Sequence, residues 1–292
     1  MVAAALLLLA QDFAGSQTCA GCHTAIYEKQ SNTNHARALF RQGARFAFGS
    51  GAQAVTYVSR EGAGGYVEEG LSWYQRANAL ARTPGHADDN GVRYRTFAAD
   101  SAIMRCFQCH STGKLRLTEA LELEPGEFGV RCENCHGAGA AHAAKPTNEN
   151  IANPKRLDAA GLNTLCGRCH RMPPAQGVET DFENPWNVRH QPVYFSQSAC
   201  FLKSGGKLSC LSCHNPHEDG KTAGDAKCAE CHAKVKHGAA TAVTDKSCVS
   251  CHMPGVDPSP LLRFTNHWIG VYRLNGPRAN RLRPIARSAR RR

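Results

Sequence analysis

The chain has 292 residues, and its 35 lysines and arginines against 24 aspartates and glutamates give a formal net charge of +11. Hydrophobic residues make up 42% of it, and the mean hydropathy is −0.42. The longest apolar run, residues 2–10, falls far short of the roughly 20 residues that a bilayer-spanning helix needs, so the sequence predicts a soluble or peripheral protein.

The chain begins with a segment that resembles a secretory signal peptide. Residues 1–10 are almost wholly apolar, and cleavage is expected after about Ala10. No basic residue precedes the run, and Leu8 is large for a position two residues before the cut. We therefore expect an exported protein whose mature chain begins near residue 11.

Seven copies of Cys-x-x-Cys-His dominate the rest of the chain and use fourteen of its fifteen cysteines. Each copy is typical of a site for a c-type haem, in which the two thiols bond to the porphyrin and the histidine reaches one face of the iron. Zinc sites or disulfides are the alternatives for paired cysteines, but zinc gives no reason for a histidine after every second cysteine. Seven haem c groups are predicted, attached through Cys19, Cys22, Cys106, Cys109, Cys132, Cys135, Cys166, Cys169, Cys210, Cys213, Cys228, Cys231, Cys248 and Cys251. The predicted proximal iron ligands are His23, His110, His136, His170, His214, His232 and His252.

With roughly 40 residues per haem, the chain is too short for an ordinary side-chain core around each group, so the haems are expected to form the core. The predicted fold class is mainly α with much irregular structure, a haem-cored multihaem cytochrome c. Strands are predicted only at residues 54–58, 66–69 and 71–74, around a glycine-rich turn at 61–65. They indicate a small β-hairpin or meander around residues 54–74, and a short helix is expected at 115–123.

The predicted layout has one large domain. A heptahaem domain covers residues 11–272, with the first motif at 19–23, a β insertion at 45–100 and the other six motifs at 106–252. Residues 273–292 contain eight arginines and are expected to form a basic, disordered tail.

The histidines outside the motifs also number seven, and they are the candidates for the second ligand of each iron: His35, His86, His142, His190, His217, His237 and His267. Two ligands of one iron approach from opposite faces, whereas three helical residues advance only about 4.5 Å and return to the same side. His142, His217 and His237 lie too close behind a motif histidine to reach the far face of that haem. We expect them to ligate neighbouring haems instead.

Methionine is the other common axial ligand. Met172 and Met253 follow a motif histidine too closely to reach the far face of that haem, and Met104 is the remaining candidate. Cys200 is the one cysteine outside the motifs and is expected to be a buried free thiol, with iron ligation or a regulatory role as the alternatives.

The net charge of the apoprotein is a poor guide to partners. Because each ferric haem adds about −1 and each ferrous haem about −2, seven haems bring the total to about +4 when oxidised and about −3 when reduced. We therefore expect no nucleic-acid partner. The arginine-rich C-terminal segment is expected either to be a solvated tail or to contact an acidic redox partner or an anionic membrane surface.

The chain resembles the multihaem cytochromes related to the tetrahaem cytochrome of ammonia oxidisers, including doubled-CxxCH proteins that are often fused to tetratricopeptide repeats. The resemblance covers residues 18–272 and rests on Cys19-Ala20-Gly21-Cys22-His23 with His35-Ala36, Cys132-Glu133-Asn134-Cys135-His136 with His142, His190-Gln191-Pro192, and Cys210-Leu211-Ser212-Cys213-His214-Asn215-Pro216-His217. Histidines in such contexts are distal haem ligands in that group, which supports His35, His142, His190 and His217. Tetratricopeptide repeats do not follow, and the Cys-x-x-Cys-Lys motif of the related pentahaem nitrite reductases does not occur, which weakens a nitrite-reducing role.

Two hypotheses of function follow. The first is a periplasmic electron carrier of anaerobic respiration with mostly bis-histidine haems, exchanging electrons with other cytochromes, a quinol-oxidising membrane complex or a terminal reductase. The second is an oxidoreductase that reduces a small nitrogen or sulfur oxyanion at one five-coordinate haem. His86 distinguishes them, because the second hypothesis requires that one iron lacks a histidine ligand.

Overall fold

The computed structural model of this protein describes residues 12–84, 93–173, 175, 179–219, 224–233, 237, 247–273 and 281–285. The predicted signal segment at residues 1–10, His86 and most of the arginine-rich C-terminal segment lie outside the described residues. The chain divides into two compact units, one formed by Met1–Ser72 and Arg82–Pro154 and the other by Trp73–Ala81 and Lys155–Arg292. In the described part of the chain, no helix is both long enough and apolar enough to cross a membrane.

A six-stranded sheet lies between the first and second motifs. Its strands β1 to β5 are neighbours in chain order, and β6 pairs with the first half of β4. The strands are β1 Leu39–Gln42, β2 Arg45–Phe48, β3 Ala54–Glu61, β4 Gly65–Tyr74, β5 Ala79–Arg82 and β6 Arg93–Ala98. The strands predicted at residues 54–58, 66–69 and 71–74 are confirmed, because they fall within β3 and β4.

The sheet is larger than the predicted hairpin or meander around residues 54–74. It begins at Leu39 and ends at Ala98, so strands shape the chain as much as helices do, and the prediction of a mainly α fold was too narrow. β1 and β2 were not predicted, because each has only four residues and neither contains a β-branched residue, although phenylalanine also favours strands. They are strands because Leu39 and Phe46 bury their side chains in the core.

The core of the first unit holds the second motif in place. Helix α3, Ile103–His110, contains this motif, and Phe107 lies between its two cysteines. Phe107 is fully buried and meets the rings of Phe46 and Phe48 edge-on, at centroid distances of 4.8 and 5.2 Å. A side-chain core therefore exists beside the motif, in addition to the expected haem core.

The prediction of a helix at residues 115–123 is wrong. This segment forms a hairpin in which Leu117 of one strand faces Leu123 of the next. Leu123 is fully buried, and its N–H donates to the hydroxyl of Tyr66 at 2.8 Å. Leu121 turns the chain with φ of 56°. Burial of Leu123 under the large sheet outweighs the helical propensity of the segment.

Short elements complete the first unit. The helices are α1 Ser16–Ala20, α2 Thr24–Ser31, α4 Cys132–His136 and α5 Ala140–Ala144. The two-residue strands are β7 Ser111–Thr112, β8 Arg116–Leu117, β9 Leu123–Glu124 and β10 Glu127–Phe128, with β10 paired to β7 and β8 to β9.

The second unit consists of short helices around a small apolar core. Its helices are α6 Ala159–His170, α7 Gln191–Phe195, α8 Ala199–Lys203, α9 Gly224–His232 and α10 Cys248–His252, with 3₁₀ turns at Pro185–Arg189 and Cys210–Ser212. Strands β11 Gly255–Ser259 and β12 Leu262–Thr265 form a hairpin. The core contains Val188, Val193, Tyr194, Val256 and Leu282, with Phe182 and Trp268 packed against it.

Residues 281–285 belong to this second unit although they lie in the predicted tail. Leu282 is 6% exposed, and the side-chain amide of Asn266 donates to the carbonyls of Arg281 and Leu282 at 2.8 and 3.0 Å. Arg283 pairs with Glu183 at 2.7 Å. The expected disordered tail therefore does not include these residues, because a leucine among the arginines completes the core.

Candidate functional site

Each Cys-x-x-Cys-His motif forms a helical turn, and all seven motifs are described. Motifs three and seven are the helices α4 and α10, and motifs two, four and six end α3, α6 and α9. Motif one spans the end of α1 and the turn after it, and motif five begins with the 3₁₀ turn Cys210–Ser212. The N–H of His23 donates to the carbonyl of Cys19 at 2.8 Å, and that of His214 to Cys210 at 2.9 Å. Residues three and four apart share one side of a helical turn, so both thiols and the histidine face the same way.

Among the described residues, three ring contacts bring a motif histidine against a histidine outside the motifs. The ring centroids of His23 and His142 are 6.5 Å apart, and the two planes differ by 12°. The pairs His214–His267 and His237–His252 both have centroids 6.2 Å apart. A metal–imidazole bond is about 2 Å long, so two imidazoles on opposite sides of one metal ion have ring centres about 6 Å apart. The three pairs therefore fit an iron held between two rings.

The pairing in space does not follow the order in sequence. His142 lies against His23 of the first motif and not against His136, which it follows by six residues. His237 lies against His252 of the seventh motif and not against His232. Both placements agree with the argument that such histidines cannot reach the far face of the haem just before them.

Several of these imidazoles direct Nδ1 at a carbonyl oxygen, at distances of 2.7–3.0 Å. The pairs are His110 with Ala38, His136 with Ala152, His252 with Gly270, His142 with Thr147 and His267 with Thr265. A carbonyl oxygen only accepts hydrogen bonds, so Nδ1 carries the hydrogen and Nε2 carries the lone pair. This is the arrangement of metal-ligating histidines, whose second nitrogen donates to a carbonyl or carboxylate.

Burial keeps several of the rings neutral. It lowers the pKa of His267 to about 4, and it also lowers the pKa of His170 and of His214. The neutral imidazole is the form that binds a metal, so these environments favour ligation.

His190 differs from the other rings. Its Nδ1 lies 3.4 Å from Nη1 of Arg171, which can only donate. Burial, followed by the charges of Arg171 and Arg189, lowers the pKa of His190 to about 4. The neighbouring His170 directs its own Nδ1 at Oε1 of Gln191 at 3.2 Å.

Among the described residues, three pairs of thiols from different motifs lie close together. Cys19 lies within hydrogen-bonding reach of Cys132, Cys166 of Cys210, and Cys248 of Cys228. Burial, together with Cys132, raises the pKa of the Cys19 thiol to about 11. Attachment sites one and three, four and five, and six and seven are therefore neighbours in space.

A polar side chain joins the two motifs of each pair. Glu133, inside the third motif and 4% exposed, accepts the N–H groups of Ala14 and Gly15 at 2.8 and 2.9 Å, just before the first motif. Asn163, before the fourth motif, accepts the N–H of Cys210 at 3.0 Å. Asp225, before the sixth, accepts the N–H of Cys248 at 2.7 Å. The sequence analysis did not identify these residues. The feature they share in the sequence is a side chain that can accept a hydrogen bond, placed within a motif or one turn before it.

Other contacts involve the remaining described candidates. His35 is exposed, and its carbonyl accepts the N–H of Val130 at 2.8 Å, while His217 is half-buried and donates its N–H to Oδ1 of Asn215 at 3.1 Å. Met104 packs against the core of the first unit. Cys200 is half-buried, and burial raises its pKa. Among the described residues, no three His, Cys, Asp or Glu side chains converge to hold a bare metal ion.

The sequence is similar to known multihaem proteins over parts of its length. The profile of the family described as cytochrome c554 and c-prime matches residues 71–137, which include motifs two and three. The C-type polyheme cytochrome OmcC of Geobacter sulfurreducens is 28% identical over 155 residues. That match covers 37% of this chain and only 20% of OmcC, so the chain spans a small part of this relative.

The fold is similar to that of two solved cytochromes. The undecaheme cytochrome from the S-layer of Carboxydothermus ferrireducens aligns with a TM-score of 0.52 and 18% identity, over 84% of this chain and 51% of that one. The outer cell wall cytochrome OcwA aligns with a TM-score of 0.55 and 16% identity, over 88% of this chain and 79% of that one. At these identities the likeness concerns the fold.

Proposed function

Because the chain is a multihaem c-type cytochrome, we propose that it is an electron-transfer protein with seven covalently bound haem c groups, one at each Cys-x-x-Cys-His motif. The observation that carries the proposal is the approach of a free histidine to a motif histidine in three places, at 6.2–6.5 Å between ring centroids. Two histidines saturate an iron and leave no position for a substrate, which suits electron transfer.

The ligands proposed for these irons follow from the pairs. His142, His267 and His237 are the second ligands at motifs one, five and seven, opposite His23, His214 and His252. His35, His190 and His217 are proposed as further second ligands from their sequence contexts. His86 stays a candidate that lies outside the described residues.

The chain's own residues hold the irons and set their properties. Haem c supplies an iron that alternates between the ferric and ferrous states. The Nδ1–H bonds to backbone carbonyls fix the ring orientations and increase the basicity of Nε2, which favours the ferric state. Histidine pairs also lack the thioether that raises a potential, so we propose mostly low reduction potentials.

The paired motifs give the electrons a path within each unit. Motifs one and three adjoin in the first unit, and motifs four and five, and six and seven, adjoin in the second. We propose that electrons pass between neighbouring attachment sites and leave to other redox proteins, such as cytochromes, a quinol-oxidising membrane complex or a terminal reductase.

We propose that the protein works outside the cytoplasm, in the periplasm or elsewhere in the cell envelope. Covalent attachment of haem to such motifs takes place there, and the two similar structures come from an S-layer and an outer cell wall. Cell fractionation with haem staining tests this proposal, and haem-stained protein confined to the cytoplasm would contradict it.

The proposed function is tested on protein produced with the c-type haem attachment machinery. We expect seven haems per chain that resist acidified organic solvent, as thioether bonds require. Low-temperature electron paramagnetic resonance of the ferric protein should show mostly low-spin iron. Haem that extracts freely, or a mostly high-spin spectrum, would overturn the proposal.

A further inference from the structure

One short segment of the second unit serves two motifs. This ligand strip, residues 265–271, contains His267, whose ring centroid lies 6.2 Å from that of His214 in the fifth motif. Three residues further on, the carbonyl of Gly270 accepts the Nδ1–H of His252, the histidine of the seventh motif, at 2.7 Å. The N–H of Gly270 also donates to the carbonyl of His252 at 3.1 Å. The strip therefore supplies the proposed second ligand at motif five and the hydrogen-bond acceptor for the first ligand at motif seven.

Asn266 fixes the strip from within. It is 0% exposed, and its side-chain amide donates to the carbonyls of Arg281 and Leu282 at 2.8 and 3.0 Å. Its Oδ1 accepts the N–H of Trp268 at 2.9 Å, and its backbone N–H donates to the carbonyl of Pro254 at 3.1 Å. The side chain thus uses both its donor and its acceptor atoms, and a residue without them would leave buried backbone groups unpaired.

Two residues outside the strip also hold it. Ser198 is 0% exposed, and its Oγ donates to the carbonyl of His267 at 2.9 Å and accepts the N–H of Ile269 at 2.8 Å. The N–H of Ile285 donates to the carbonyl of Val271 at 2.7 Å. The backbone on both sides of the imidazole-bearing residue is therefore fixed by buried hydrogen bonds that the polypeptide itself makes.

We propose that Asn266 and Ser198 are positioning residues that set the iron coordination of two haems at once, those of motifs five and seven, through the ligand strip. The inference rests on the proposed function, because it takes His267 and His252 as iron ligands. A displaced strip moves the ring of His267 and the acceptor of His252 together. A weaker Nδ1–H bond makes the Nε2 of His252 less basic, and a misplaced His267 binds iron less well, so both changes favour the ferrous state.

The proposal is tested with Asn266→Leu in the protein carrying its haems, because leucine has nearly the shape of asparagine and offers no hydrogen bond. Electron paramagnetic resonance and a redox titration should show changes at two haems per chain, with both reduction potentials shifted upward. Ser198→Ala, a smaller change that removes the bonds to the strip, should affect the same two haems. A change at only one haem, or at none, in Ser198→Ala would overturn the proposal.

Removal of single attachment sites identifies the two haems. In the background Cys248→Ala/Cys251→Ala, which lacks the seventh site, Ser198→Ala should change one haem only. In the background Cys228→Ala/Cys231→Ala, which lacks the sixth site, Ser198→Ala should still change two. Equal numbers of changed haems in the two backgrounds would overturn the proposal, because the seventh haem would then not depend on the strip.

Val188→Ala separates positioning from a general loss of stability. Val188 is fully buried in the core of the same unit, and a valine side chain makes no hydrogen bond to the strip. The variant should lower the melting temperature and leave the spectra and potentials of all haems unchanged. If Val188→Ala shifts the potentials of the same two haems, the effect of Ser198→Ala is one of stability and the proposal fails. Freely extractable haem or mostly high-spin iron in the unmodified protein would instead contradict the proposed function.

Discussion

The partner of Nδ1 distinguishes His267 from His190. A carbonyl partner, as at His267, leaves Nε2 with its lone pair, whereas Nδ1 of His190 lies 3.4 Å from Nη1 of the Arg171 guanidinium. Both rings have a pKa near 4 and are therefore neutral over the physiological range. Burial acts on the pKa of both rings in the same direction, and the hydrogen-bond partner of Nδ1 is what differs between them.

His267→Ala tests the ligand pairs at the level of one residue. The variant should keep all its haems, because the thioether bonds remain, but one low-spin iron per chain should become high-spin as His214 loses the opposite ring. Electron paramagnetic resonance measures the change. Thr265→Ala is the matched control, since it keeps the backbone carbonyl that accepts from His267. An unchanged spectrum in His267→Ala would remove His267 from the ligand set.

At the scale of elements, polar side chains hold the motif helices together. Helix α4 illustrates this, because its two residues between the cysteines both bind outside the motif. Glu133 accepts from the segment before the first motif, and Asn134 donates to the carbonyl of Ser111, directly after the second, at 2.8 Å. The variable positions of one motif thereby fix the places of two others.

Glu133→Gln should therefore destabilise the first unit. The buried carboxylate accepts three backbone N–H groups, from Ala14, Gly15 and Gly139, and an amide offers only one acceptor oxygen. We expect the free energy of unfolding to fall by about 2 kcal/mol, as for hydrogen bonds to a charged group. Denaturant titration followed by circular dichroism measures it. Glu124→Gln, which breaks an exposed pair with Arg116, should cost less than about 1 kcal/mol. Equal losses in the two variants would contradict the argument.

The sheet and the second motif form one packed element. Phe107 is fully buried against Phe46 and Phe48, so Phe107→Leu should lower the free energy of unfolding by about 1 kcal/mol. Phe107→Ala should lower it by about 3–5 kcal/mol because it also leaves a cavity. Thermal unfolding of the two variants provides the comparison, with the partly exposed Phe40→Leu as control. If Phe107→Ala costs no more than the control, the sheet does not support the motif.

For the whole molecule, the sequence predicted the local chemistry better than the architecture. The haem-attachment motifs are local patterns, and residues three and four apart suffice to define them. The pairing of His142 with His23 joins positions 119 apart, so spacing could exclude His136 as its partner but could not select His23. The strands β1 and β2 and the burial of Leu282 depend on contacts in the completed cores. The propensity of a local segment takes no account of those contacts.

The charge of the whole molecule should change sign with its redox state. The polypeptide contributes +11, and seven haems add about −7 when ferric and about −14 when ferrous, which gives about +4 and about −3. Isoelectric focusing under air should therefore give the oxidised protein an isoelectric point above pH 7. Focusing under anaerobic reducing conditions should give the reduced protein an isoelectric point below pH 7. Cys19→Ala/Cys22→Ala, which removes one attachment site, should reduce the difference between the two states from about seven charges to about six. A redox-independent isoelectric point would contradict the predicted haem load, because each iron reduced without a proton must add one negative charge.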